Sequence, residues 1–63
     1  MSDIDKGFIQ GVAWAIALTQ RWNIDGGHML KESGLKIADF KKAGVAEYDM
    51  KQVRKVAKIE GIR

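Results

Sequence analysis

Lys51, Arg54, Lys55 and Lys58 recur at spacings of three, four and seven, so on a helix their charged ends share one face. Met50, Val53, Val56 and Ala57 supply the other, apolar face of the same segment. A row of four cations on one helix face is a candidate docking surface for an anionic partner: a nucleotide, a nucleic acid or an acidic protein. The same row also has a plainer use, since a solvated charged face keeps a small domain dissolved. A second cationic set, Lys36, Lys41 and Lys42, borders a partial helix-turn-helix pattern. There Leu30, Gly34, Phe40 and Ala43 stand at the first-helix apolar, turn and second-helix core positions. In that reading residues 36–43 form the helix that faces DNA, and the three lysines contact phosphates. Two features depart from the motif: Leu30 stands where a small residue is usual, and Asp39 lies within the reading helix.

Residues suited to catalysis are scarce. Nucleophilic catalysis needs a nucleophile beside a positioned base, and the chain has no cysteine and one histidine, His28, next to two glycines. The same counts rule out a Cys/His zinc site, and His28 reads as a surface residue at a helix start. Asp39, Glu47 and Asp49 are better explained as helix starts and solvated charges than as an acid/base pair. Gly26 and Gly27 resemble a phosphate-cradling loop, but the lysine and hydroxyl of such a loop are missing and Asp25 would repel an anion, so a helix-start turn is expected. The expectation is a binding protein without enzymatic activity, metal or cofactor.

These residues must be positioned by a single small domain, 1–63, because 63 residues leave no room for a second core. A hydrophobic fraction of 46% with 30% charged residues places the chain among folded proteins rather than disordered tails. Disulfide staples are excluded, so packing must carry the stability, with oligomerisation as the remaining support for so small a core. The charge is unevenly placed: residues 1–25 hold two cations against three acids, whereas residues 26–63 hold nine against five. The absence of proline and of sustained β-branched alternation predicts an all-α chain. Its parts are an N-terminal helix region (1–25) and a short-helix region (26–63) that ends in a basic amphipathic helix.

Ser2 followed by Asp5 signals a helix start, and helical spacing continues to about Trp22, before Asn23, Asp25, Gly26 and Gly27 break it. One stripe, Phe8, Val12, Ala15, Ile16, Thr19 and Trp22, reads as the core face, with Trp14 and Trp22 as core anchors. Trp14, Ala17 and Leu18 lie off that stripe, so Val12 to Leu18 is apolar nearly all round and needs cover on both sides. Gly7, Gly11, Ala15 and Thr19 fall four apart and form a ridge of small residues. A second copy covering Gly7, Gly11, Trp14, Ala15, Leu18 and Trp22 is the preferred explanation. The alternative is that the small residues seat the helix against the rest of its own chain. The apolar run from Phe8 to Leu18 is too short to span a bilayer, which takes about 20 residues, and lacks the pattern of a signal peptide. A cytoplasmic location without membrane contact is expected.

The second half repeats with a period of ten: MLKESGLKIA from Met29, DFKKAGVAEY from Asp39 and DMKQVRKVAK from Asp49. In the first two units an apolar residue and a lysine precede a small residue, a glycine and an aliphatic residue. Each unit is expected to be a helix of about two turns stopped by a left-handed glycine, with Leu35 meeting Leu30 and Val45 meeting Phe40 across the stop. The third unit has Arg54 where the others have glycine, so its helix runs on from about Met50 to Glu60, with Asp49 and Gln52 as a capping box. At its far end Gly61 brings Ile62 to Ala57.

The decapeptide pattern resembles the tandem leucine-lysine-x-alanine-glycine-aromatic repeats of assorted bacterial proteins. The whole chain, with GFIQGVAWAIAL ahead of LKESGLKIADFKKAGVAEYDM, resembles small accessory proteins of tailed phages and prophages. That resemblance implies a class of roles: inhibition of a host factor, including counter-defence, sequestration of a small anionic host molecule, or regulation. It implies a bacterial cytoplasm as the setting and carries no catalytic residues.

Overall fold

The Ser2 hydroxyl accepts the Asp5 backbone N–H at 3.2 Å and opens the first helix, α1 (Asp3–Arg21), as the Ser2/Asp5 spacing predicts. The helix stops where Asn23 adopts a left-handed conformation, with φ of 56°, which lets the Ile24 N–H reach back to the Thr19 carbonyl at 2.8 Å. The computed structural model describes residues 2–63, and three further helices follow: α2 (Gly27–Ser33), α3 (Ile37–Lys42) and α4 (Glu47–Glu60). The fold is all-α, with one long N-terminal helix, two short middle helices and a C-terminal helix.

The Gly26–Gly27 pair is a helix-start turn, and packing explains why it is glycine. The Asp25 carboxylate accepts the Gly27 N–H at 2.9 Å, so that side chain begins α2. Both glycines are buried. A Cβ on Gly26 would fall on the Thr19 hydroxyl of α1, and one on Gly27 would come within 2.6 Å of the Glu60 side chain of α4. Glu60 is itself held by Lys31 of α2 at 3.3 Å. These close approaches bind α2 to the helices on either side of it.

The ten-residue repeat has a structural counterpart. Leu30, Phe40 and Met50 hold the same place in successive units, and all three enter one buried cluster with Ile9, Ala13, Ile16, Ala43, Val53, Val56 and Ala57. Gly34, Gly44 and Gly61 all have φ near 70°, as helix-stopping glycines should. After Gly44 the Val45 N–H bonds the Phe40 carbonyl at 3.3 Å, and after Gly61 the Ile62 N–H bonds the Ala57 carbonyl at 2.8 Å. The first unit closes differently: the Ser33 hydroxyl donates to the Leu30 carbonyl at 2.6 Å and accepts the Leu35 N–H at 3.2 Å. A serine thus stands in for the direct bond that the second unit makes, where the matching residue is Ala43. Gly44→Ala meets no steric obstacle, so its cost is that of holding an L-residue left-handed, about 1 kcal/mol. The expected result is a lower urea midpoint with an unchanged slope.

Two expectations are corrected. The core face of α1 is Ile9, Ala13, Ile16 and Ala17 with Thr19, rather than the stripe that begins at Phe8 and ends at Trp22. Phe8 is 63% exposed and Trp22 62%, so of the proposed stripe only Ile16 and Thr19 are buried, with Val12 and Ala15 partly covered. The reason is fit: small Ala13 and Ala17 let α1 lie close to α4, its main neighbour, where bulky side chains would hold it away. Trp14 is likewise outside the core. Secondly, α4 starts at Glu47, and its boundary residue Ala46 makes no side-chain cap. Asp49 therefore lies within the first turn instead of preceding the helix. Asp39 does help to start α3, accepting the Lys36 N–H at 2.8 Å.

Candidate functional site

Lys51, Arg54, Lys55 and Lys58 are all exposed on α4, opposite the buried Met50, Val53, Val56 and Ala57, as their spacing predicts. The four line one shallow depression together with Glu47. Arg54 and Lys58 also border an adjoining depression with Ile37, Ile62 and Arg63. Arg63 is the member that periodicity misses, because the left-handed Gly61 turns the chain out of the helix before it. Among the described residues Lys31 pairs with Glu60 and the His28 ring lies 3.8 Å from the Glu32 carboxylate, and neither contact involves this row. The like-charged pairs Lys51/Lys55 and Arg54/Lys58 stand one helical turn apart, about 6 Å along the axis and within the screening length of physiological salt, so they repel one another, and Glu47 is the carboxylate that shares their depression. An anionic partner would relieve that repulsion.

The second exposed surface is the outer face of α1. Ile4, Gly7, Gly11, Trp14, Leu18 and Arg21 alternate at spacings of three and four, opposite the buried stripe, and Phe8, Ala15 and Trp22 widen the strip. Trp14 is 59% exposed and Ile4 84%. A Cβ on Gly7 or Gly11 would have nothing within 4 Å, so neither glycine seats α1 against its own chain. Thr19 departs from the small-residue ridge: it is buried, and its hydroxyl bonds the Ile16 carbonyl. Trp14, Ala17, Leu18 and Arg21 line a groove of 160 Å³ whose far wall is Tyr48 and Asp49 of α4. Tyr48 was invisible as a member of this surface in sequence, since only the α1–α4 contact brings it there.

Lys36, Lys41 and Lys42 are exposed around α3, and residues 34–36 form a three-residue turn between α2 and α3. α3 has six residues and its Phe40 faces the core, so its outer surface is short. Gln10, a polar break in the apolar run of α1, has a structural role: its amide donates to the Ala43 carbonyl at 2.6 Å and ties α1 to the end of α3. His28 is exposed beside Glu32 near the start of α2. Among the described residues no group of three or more His, Cys, Asp and Glu side chains is placed to hold a metal ion. No helix there is long and apolar enough to cross a membrane. No protein-family model matches the chain, and neither a curated protein nor a solved structure matches it.

Proposed function

We propose that this chain is a non-enzymatic binding protein that works as an assembly of copies, joined through the outer face of α1, and docks an anionic partner on the basic row of α4. The observation that carries this reading is the separation of the two exposed surfaces. The apolar strip and the cationic row share no lining residue, so one can be covered by a neighbouring copy while the other stays open. The resemblance to phage accessory proteins adds the setting: a bacterial cytoplasm, with a host protein to inhibit or a small anionic molecule to sequester. The test is capture from bacterial lysate with wild type and with a variant carrying Lys51→Gln, Arg54→Gln, Lys55→Gln and Lys58→Gln, followed by mass spectrometry of proteins and small molecules. The expected result is a partner retained by the wild type, released by salt and lost from the variant. Equal recovery on both would remove the basic row from the proposal.

A second reading, a small helix-turn-helix-like DNA-binding regulator, is favoured by the three-residue turn between α2 and α3 and by the exposure of Lys36, Lys41 and Lys42. It ranks lower because α3 is about 9 Å long, short for a helix that must lie along a groove. Its signature is duplex binding that weakens steeply with salt, with Lys41→Ala and Lys42→Ala each flattening the salt slope by about one. No duplex binding at low salt would eliminate it.

A further inference from the structure

Resting on the reading that copies associate through α1, we infer that the occupant of this face is the α1 helix of a second copy, packed antiparallel in one register. In that register Gly11 faces the partner's Trp14, Gly7 faces the partner's Leu18 and Ile4 faces the partner's Arg21.

Side-chain size sets the pairing. Along the exposed strip the positions are Ile4, Gly7, Gly11, Trp14, Leu18 and Arg21, with the glycines toward one end and the large residues toward the other. Parallel pairing sets glycine beside glycine and tryptophan beside tryptophan, leaving a gap in one layer and a collision in another. Reversing one helix about a point between Val12 and Ala13 brings every large residue opposite a small one in the central layers. The two-fold relation repeats each of these contacts, as a closed dimer requires.

The glycines add a separate observation. Gly7 and Gly11 lie inside a helix, where each costs roughly 1 kcal/mol against alanine. Neither has the positive φ that would call for glycine, and neither is crowded by its own chain. Nothing within the monomer accounts for them, whereas the approach of an indole does.

Charge selects the same direction. Asp3 is at the start of α1 and Arg21 at its end, and Arg21 reaches the outer strip. Antiparallel pairing sets each Arg21 beside the partner's Ile4 and Asp3, giving two cross-copy attractions, whereas parallel pairing sets arginine beside arginine. The groove wall formed by Tyr48 continues the apolar surface from Trp14 and Leu18 toward α4.

Because the chain has no cysteine, introduced thiols report the register without background. Ile4→Cys and Arg21→Cys, prepared separately and oxidised alone or as an equimolar mixture, test the pairing alongside sedimentation of the wild type. The expected result is a cross-linked heterodimer in the mixture, at least about ten-fold above either variant alone, with wild type sedimenting as a dimer. Stronger cross-linking by each variant alone would overturn the antiparallel register while leaving association in place. A wild-type dimer with no cross-linking in any sample would overturn α1-to-α1 pairing. A monomeric wild type at millimolar concentration would overturn association itself and this inference with it. Gly11→Leu supplies a second measure: the variant should melt at or above the wild-type monomer's temperature, yet associate at least about ten-fold more weakly. Undiminished association would exclude Trp14 from the Gly11 notch.

Discussion

Phe40→Ala is expected to abolish the cooperative thermal transition followed by far-ultraviolet circular dichroism. Phe40 is fully buried and is among the largest side chains enclosed by the protein, alongside Ile16, Leu30 and Val53. It projects from α3 into the cluster formed with α1 and α4, so its removal opens a cavity where three helices meet. Truncating a buried phenylalanine costs about 3–5 kcal/mol, and a core of this size rarely supplies more than that in total. The surroundings have little means of collapsing into the gap, because the preceding and following turns are fixed by bonds to Lys36 and Val45. Phe40→Leu is the control: it keeps most of the volume and should lose roughly 1 kcal/mol while remaining cooperative. If Phe40→Ala melts within a few degrees of wild type, the core does not close around this residue.

That residue also shows how much was legible in sequence. Phe40 holds the position of Leu30 and Met50 in the ten-residue repeat, and the glycine stops at 34, 44 and 61 are local features, so the short helices and their core contacts follow from spacing alone. Where α1 turns its faces does not follow. Its middle is apolar nearly all round, and a hydrophobic pattern cannot orient a helix that lacks a polar side. What decides is the small size of Ala13 and Ala17, which suits close contact with α4, and this becomes visible only once α4 is in place. The start of α4 was hidden for another reason: Ala46 offers no capping oxygen, and the stronger Asp49/Gln52 spacing lies one turn further on. The basic row was legible because Lys51, Arg54, Lys55 and Lys58 belong to a single helix. Tyr48 and Arg63 join their surfaces through tertiary contact and a turn, neither of which has a periodic signature.

Trp14→Glu should dissociate the proposed assembly and leave the fold intact, two effects that can be read separately. Trp14 is more than half exposed in the single chain, and the buried cluster does not include it. Substitution there removes nothing from the core, so helix content and the unfolding transition at low concentration should match wild type. In the proposed dimer the same residue lies at the centre of the outer strip, next to the groove walled by Tyr48. A central tryptophan commonly contributes about 2–4 kcal/mol to an interface, which alone corresponds to a roughly 30- to 1,000-fold loss of affinity. The new carboxylate adds a desolvation cost, with no cation of the strip nearer than Arg21 to offset it. Association stabilises the folded state by mass action, so the melting temperature of wild type should rise with protein concentration while that of Trp14→Glu stays flat. Parallel concentration dependence in the two proteins would mean that the copies meet elsewhere. A loss of helix in Trp14→Glu at low concentration would mean instead that the indole supports the monomer, which its exposure argues against.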